Sequence, residues 1–438
     1  MATKYKDSGI DWIGEIPEGW NVVPFRSYVK ERAEKNKGEK TRELLALSFA
    51  LGVTLYKDKV FNMDRVKENY EDYQLVYEND LVLSPNDIIK GSVFVSKYYG
   101  CISPMYLVFS ARNTDTHYLP YLSYLLRTSA AGRKFFFIAR GLIGSILDNG
   151  KYVTRRMTVS KQDLLSFDVL LPPLATQQRI VDFLDRKCAE IDELAALQET
   201  MIAELKRYKQ SVITEAVTKG LDPNVPMKDS GVEWIGEIPE GWEVCRLKDI
   251  LKRPLQYGAN ESGIPFNEEL PRYVRITDIS DNNLRDDLIK QSLTEEQADG
   301  YILEHNDILF ARSGGTVGKA FIYKQEYGRC AFAGYLIKAV IKKGDARYVY
   351  YYTQTHCYEE WKRRIFIQAT IQNIGADRYS IMEMPVPPLT EQRAIADHLD
   401  QKCAEIDELI AIKQQKIEAL KEYKKSVIFE YVTGKKFL

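Results

Sequence analysis

The sequence predicts an α+β protein in which two mixed α/β globular domains are joined by two long antiparallel helices forming a coiled coil, the whole pseudo-twofold. Three observations predict it. A head segment occurs twice, a long helix-forming segment occurs twice, and the stretches between them mix strand-like and helix-like runs while sharing almost no sequence. Internal repeats take precedence over other signals because they determine how the rest of the chain divides.

The head reads KDSGIDWIGEIPEGW from Lys6 to Trp20 and KDSGVEWIGEIPEGW from Lys228 to Trp242. The copies lie 222 positions apart and differ only at Ile10/Val232 and Asp11/Glu233. The second repeated segment opens with PPLATQQRI at Pro172 and PPLTEQRAI at Pro387, 215 positions apart, and both copies run on through KCAEIDEL. Ile180, Leu184, Cys188, Ile191, Ile202, Leu205 and Val212 fall mostly at three- and four-residue steps. So do Ile395, Leu399, Cys403, Ile406, Ile410, Ile417, Leu420 and Val427. Such a stripe belongs to a helix with one long packing partner. No glycine or proline interrupts 174–219 or 389–433. At about 1.5 Å per residue each makes a rod on the order of 60 Å long. Each rod could pack on its own domain, but pairing the two equivalent stripes satisfies both at once.

The first rod leaves through Lys219-Gly220-Leu221-Asp222-Pro223, a helix stop followed by a turn, and the second ends at Thr433-Gly434-Lys435. One junction of the pseudo-twofold molecule is therefore a linker and the other is the pair of termini, which should meet. The expected boundaries are a first globular domain at 1–171, a first rod at 172–220, a linker and second domain at 221–386, and a second rod and tail at 387–438.

Within the inserts, the strand-like runs are 80–84, 91–96 and 105–110 in the first, and 273–277, 307–312, 319–323 and 335–341 in the second. Residues 118–137 and 347–364 each read as a single helix. Aligning Asp80-Leu81-Val82-Leu83 with Asp307-Ile308-Leu309-Phe310 suggests two divergent copies of one fold.

The global charge of −1 announces no nucleic-acid or membrane partner. Locally, eight basic residues between Arg127 and Lys161 face only Asp148. Arg140, Lys151, Arg155 and Arg156 lie in this stretch, with Phe135, Phe136, Phe137 and Tyr152 interleaved, as a surface that tracks phosphates and touches bases requires. The bland alternative is a solvated helix face and a loop. The second insert carries a weaker set, with Lys362, Arg363, Arg364, Gln368, Gln372, Asn373 and Arg378. Ser313-Gly314-Gly315-Thr316-Val317-Gly318-Lys319 looks like a phosphate loop but lacks its first glycine and its final hydroxyl, and strands flank it on both sides. It reads as a tight glycine turn, able to approach a DNA backbone closely.

The six cysteines form no C-x-x-C pair and the four histidines are scattered, so no metal site is expected. No run is apolar enough for a membrane span, and no export signal is visible, which points to the cytoplasm. No dinucleotide fingerprint, H-E-x-x-H or G-x-S-x-G is present, nor an amino-methyltransferase N-P-P-[FY].

Taken together, DWIGEIPEGW and EWIGEIPEGW, PPLATQQRI and PPLTEQRAI, the doubled KCAEIDEL, the junction VTKGLDPNVPMKDSGVEWIG and the strand-turn-strand DILFARSGGTVGKAFIY make the chain resemble the specificity (S) subunit of type I restriction–modification systems over its full length. Thr176-Gln177 departs slightly from the more family-like Glu391-Gln392. The resemblance implies two target recognition domains, each reading half of a split DNA sequence, and two rods acting as ruler and dock. It implies as partners double-stranded DNA, methyltransferase (M) subunits and restriction (R) subunits, with one S chain per complex. S-adenosylmethionine, ATP and Mg2+ would be bound by those partners, with no cofactor and no catalysis in this chain. The residues expected to face DNA are Arg140, Lys151, Arg155 and Arg156 in the first domain, and Arg312, Thr316, Lys319, Arg363, Gln372 and Asn373 in the second. A coiled-coil adaptor that binds only protein and a stand-alone DNA-modifying enzyme are the rival readings.

Overall fold

The computed structural model describes residues 4–59, 69–141, 157–280, 283–367 and 373–437. The two uninterrupted segments are helices, Leu174–Lys219 and Leu389–Val432, referred to below as the first and second rods. The chain forms two compact units, Met1–Gln198 with Gln415–Leu438, and Glu199–Gln414. Each unit thus holds one globular part, the start of the rod that follows it, and the end of the other rod.

In the first unit the head folds as a hairpin, with Tyr5–Asp7 antiparallel to Glu15–Pro17. Asn21–Pro24 then pairs with Asp168–Leu171, so the strand entering the globular part lies beside the strand leaving it for the rod. Between them, β1 (Val29–Glu31), β2 (Leu81–Leu83), β3 (Val93–Val95) and β4 (Leu107–Ala111) form an antiparallel sheet of order β1-β4-β2-β3. Two helices follow, α1 (Leu119–Leu126) and α2 (Ser129–Ile138). Phe25, Leu81, Leu83, Phe109, Leu125 and Phe135 are buried in one core that also takes in Ile180 and Leu184 of the first rod and Val427 and Val432 of the second. Full burial of each such aliphatic side chain contributes roughly 1.5–3 kcal/mol.

The second unit repeats this plan. Met227–Asp229 pairs with Glu237–Pro239, and Glu243–Arg246 with Glu383–Val386. Its sheet, β5 (Gln256–Tyr257), β6 (Ile308–Ala311), β7 (Ala320–Ile322) and β8 (Leu336–Ala339), has the matching order β5-β8-β6-β7. Helices α3 (Ala346–Tyr352) and α4 (His356–Ile367) follow. Its core joins Phe310, Tyr348 and Tyr379 to Ile213 and Val217 of the first rod and Ile395 and Leu399 of the second. The outer lobes differ. The first unit has a hairpin of Leu45–Ser48 with Gly52–Leu55, whereas the second pairs Arg272–Val274 in parallel with Cys330–Phe332.

The single helix expected over 118–137, and its counterpart over 347–364, is in each case two helices. Thr128 caps α2, its Oγ1 accepting from the Ala131 N–H at 3.2 Å and donating to the Leu125 oxygen at 2.8 Å. Thr355 does the same before α4, with Tyr358 and Tyr352. A threonine side chain that satisfies helix-terminal backbone groups ends one helix and starts the next, while the apolar periodicity carries on across the break.

The rods pair within each unit. In the first, Lys424 Nζ meets Asp192 at 2.6 Å and the Phe183 and Tyr431 rings lie 4.4 Å apart. In the second, Lys209 Nζ meets Asp407 at 2.6 Å. Partners rise in one helix as they fall in the other, so the pairing is antiparallel. Both rods stop at a left-handed glycine, Gly220 at φ +79° and Gly434 at φ +71°. The termini meet in the first unit, where Lys435 Nζ donates to the Glu15 oxygen at 2.6 Å and the Tyr5 and Phe437 rings lie 6.2 Å apart. Among the described residues no helix is long and apolar enough to cross a membrane.

Candidate nucleic-acid interface

The β2–β3 and β6–β7 hairpins and the helix pairs that follow are copies at a shift of 227 positions, as Asp80 and Asp307, Gly91 and Gly318, and Thr128 and Thr355 each show. Asp80 and Asp307 are both buried at the root of a hairpin, β2–β3 and β6–β7 respectively. Asp80 is clamped by Arg32 at 2.6 Å, and Asp307 accepts from the Glu304 N–H at 2.9 Å with Lys338 at 3.8 Å. Burial raises both carboxyl pKas above the ordinary aspartate value. At the far end of each hairpin the turn closes on a glycine at φ +83°, Gly91 or Gly318. A side chain there would be strained, and at Gly318 it would also run into Lys362.

Each turn is tied to the segment that follows the second helix. The Val159 N–H donates to the Pro85 oxygen at 3.1 Å, and the Ile374 N–H donates to the Arg312 oxygen at 2.9 Å. Pro85 and Arg312 are also 227 apart, whereas Val159 and Ile374 are 215 apart. The difference resides in the connection after the second helix, which is residues 141–157 in the first unit and only 368–372 in the second. Arg140 and Thr158 close the base of the longer connection with two main-chain bonds of 2.9 and 3.0 Å. Asn373 pairs with Ser313 at the base of the shorter one.

The structure brings Arg312, Thr316, Lys319 and Asn373 to one hairpin end. Arg312 is half-buried, and its guanidinium lies 4.9 Å over the Tyr257 ring. The Tyr257 hydroxyl in turn accepts from the Ala376 N–H at 3.0 Å. Arg312 Nε is buried with no hydrogen-bond partner, and no carboxylate pairs with this guanidinium among the described residues. Lys319 is exposed and Thr316 half-buried in the turn itself. Arg363 stands apart on α4, where it forks onto Glu360 at 2.7 Å. Gln372 lies outside the described residues. Sequence reasoning missed Tyr257 and Tyr335, whose rings are 41% and 63% exposed beside Arg312. The Tyr335 oxygen accepts from the Arg312 N–H at 3.1 Å.

In the first unit, Arg140 is exposed and only loosely paired with Asp163 at 3.7 Å. Lys151, Arg155 and Arg156 lie outside the described residues. Of the other cations in that stretch, Arg127 turns inward over the Phe94 ring at 4.3 Å and Lys161 pairs with Glu31 at 2.5 Å. Asn86 and Lys90 occupy the first turn, which the sequence reading did not single out; the equal spacing from Asp80 to Gly91 and from Asp307 to Gly318 was the signal that could have found it.

Gln177 and Gln392 explain the repeated Pro-Pro-Leu segments. Gln177 Oε1 accepts from Tyr28 at 2.5 Å and from the Tyr118 N–H at 2.9 Å, while its Nε2 donates to the Pro172 oxygen at 2.7 Å. Gln392 accepts from the Asp345 N–H at 2.9 Å and donates to the Pro387 oxygen at 2.8 Å. Tyr118 and Asp345 are the N-caps of α1 and α3, so one buried amide fixes both the rod and the helix beside it. In the second unit, Glu391 also accepts from Trp242 Nε1 at 3.1 Å, a role Thr176 is too short to copy.

Residues 239–422 match the type I restriction modification DNA specificity domain. Along nearly the whole chain, the sequence is 24% identical to the type I restriction enzyme MjaVIII specificity subunit of Methanocaldococcus jannaschii, covering 96% of this chain and 93% of that one. It is 25% identical to the putative MjaX specificity subunit of the same organism, with 97% and 95% covered. Among solved structures, the fold resembles a chain from a study of complex assembly and conformational transition of the type I R-M system, at a TM-score of 0.71 and 16% identity over 95% of this chain and 98% of that one. The duplicated scaffold, the paired rods and these likenesses all support a specificity subunit of a type I restriction–modification system, a non-catalytic subunit that serves DNA target recognition.

Proposed function

We propose that residues 1–171 and 221–386 are two target recognition domains, each reading one half of a bipartite duplex sequence. The rods, 172–220 and 387–438, set the spacing and dock the methyltransferase subunits, with restriction subunits joining one such chain per complex in the cytoplasm. The observation that carries the reading is Arg312, stacked on Tyr257 at a hairpin end with no carboxylate among the described residues to neutralise it. An arginine held this way keeps its paired N–H groups free for the O6 and N7 of a guanine, and the Asn373 amide suits an adenine. Thr316 and Lys319 suit phosphate contacts, as do Arg140, Lys151, Arg155 and Arg156 in the first domain, and Arg363 and Gln372 complete the proposed DNA-facing set of the second.

The rods support the docking half of the proposal. Leu194 and Leu197 are exposed on the first rod, and Leu409 and Ile412 on the second, at the repeat spacing of 215. A doubled apolar patch suits two copies of one partner. Exchanging residues 21–171 for the matching insert of another such subunit tests the assignment. Sequencing adenine methylation in the host should then find one half of the target changed and the other kept. Change in both halves, or in neither, overturns it.

A further inference from the structure

The three consecutive phenylalanines at the end of α2 have different surroundings. Phe135 is buried and stacks on Phe167 at 4.5 Å. Phe136 and Phe137 point outward, with their rings 6.0 Å apart, and Phe137 is 80% exposed. A ring this bare on the last turn of a helix contributes nothing to the core, and its hydration is a standing cost. Its neighbours are cationic. Arg133, one helical turn earlier on the same face, is exposed, Lys134 is half-exposed, and neither has a carboxylate partner among the described residues. Arg140 follows three residues on, at the base of the basic connection.

The second unit provides an internal comparison. At the 227-residue shift that superposes Asp80 on Asp307 and Thr128 on Thr355, Phe136 and Phe137 correspond to Arg363 and Arg364. Both of those are engaged. Arg363 bonds Glu360, while Arg364 pairs with Glu233 at 2.9 Å and lies 5.1 Å over the Trp234 ring. Arg133 corresponds to Glu360. The same helix face is therefore neutral and self-satisfied in one unit, and cationic with a bare aromatic in the other.

From this geometry we infer that Phe137 is an apolar wedge that enters a base step of duplex DNA in the half-site read by the first domain, with Arg133, Lys134 and Arg140 holding the flanking phosphates. The inference rests on the DNA-reading proposal above. Apolar side chains inserted between base pairs unstack a step and kink the duplex, and cations beside them offset the crowding of phosphates. The face of α4 carries no such group, so the unstacking is confined to one half-site.

The test uses the chain in complex with its methyltransferase subunits and a duplex whose sequence is taken from the host adenine-methylation pattern. 2-Aminopurine is placed in turn at each position of both half-sites except the methylated adenines. Binding should raise its fluorescence several-fold at one step of the first domain's half-site and nowhere in the other. Phe137→Ala should abolish that rise and weaken binding about tenfold, and Phe137→Trp should keep both. Phe137→Ala leaving fluorescence and affinity unchanged overturns the wedge. So does loss of subunit assembly on a sizing column with DNA distortion retained, which would make Phe137 a protein contact. If the unaltered complex retards no duplex carrying the methylated sequence, the DNA-reading proposal itself has failed.

Discussion

Tyr121 donates its phenolic hydrogen to the main-chain oxygen of Val432, 2.8 Å away at the end of the second rod. Tyr348 repeats the bond in the other unit, to the oxygen of Val217 at 2.9 Å and to that of Pro385 at the same distance. Both hydroxyls are buried, and burial raises their pKas well above the ordinary phenol value, so they act only as neutral donors. Each rod thus ends with a last-turn carbonyl held by the domain it docks on. Next to these, Tyr124 and Tyr351 donate to Asp185 and Asp400, both at 2.6 Å, on the rod that each domain starts.

Removing a hydroxyl leaves a buried carbonyl without its partner. Tyr121→Phe and Tyr348→Phe should each cost about 1–3 kcal/mol of unfolding free energy, because each removes the one hydrogen donated to buried main-chain oxygen. Urea denaturation followed by far-UV circular dichroism measures both. No loss in either variant would show that these bonds do not hold the rod ends.

Gln177 and Gln392 offer a sharper contrast. Replacing either with leucine of similar size abandons the N–H of a helix cap and the oxygen before the rod, at about 1–3 kcal/mol. Glutamate in the same place should cost more, since it retains acceptors but loses the donor and buries a charge. Gln177→Glu should recover part of its loss as pH falls and the carboxyl protonates. Thermal melts at two pH values test this, and a pH-independent penalty would contradict it.

How much of this was legible in the sequence depends on what each residue does. The rods were readable because periodicity and the lack of glycine and proline act over dozens of residues, and the observed ends fall at Leu174 and Lys219 and at Leu389 and Val432. The pairing of the copies was visible at Asp80 and Asp307. The breaks at Thr128 and Thr355 were not, because a cap depends on one side chain's hydrogen bonds and leaves no periodic trace. Tyr257 was missed for a related reason: it matters through Arg312, 55 positions away, which no local pattern encodes. The tyrosines at 121, 124, 348 and 351 lie in helix-like runs where nothing local marks them, and only the rod geometry gives each a specific acceptor.

The thiols make a third prediction. Cys101 and Cys330 are fully buried, and burial pushes each thiol up to about 11. Cys188, Cys357 and Cys403 are buried as well, leaving Cys245 half-buried and the most accessible. At pH 8 a disulfide reagent should therefore label Cys245 first and the other five only on unfolding. Mass spectrometry of partially labelled protein locates the site. Prompt labelling of Cys188 or Cys403 would mean that the rods open in solution.

Arg312 and Lys319 lie on the same hairpin end yet should fail differently when removed. Arg312 is fixed by Tyr257 and by the main chain on both sides, so its guanidinium can discriminate between bases. Lys319 is an exposed point charge on a flexible stem and can only attract phosphate. Arg312→Ala should cost about 1–3 kcal/mol on the cognate duplex, roughly 5- to 150-fold, and relax one position of one half-site. Lys319→Ala should weaken cognate and unrelated duplexes alike and lower the slope of log affinity against log salt by about one. Tyr257→Phe keeps the ring beneath Arg312 and loses only the bond from Ala376, so it should stay close to the unaltered protein, whereas Tyr257→Ala should approach Arg312→Ala. Competition titrations of the complex at several salt concentrations separate these cases. If Arg312→Ala lowered affinity for every sequence equally, the arginine would be a phosphate contact and the base-reading role would belong elsewhere on the hairpin.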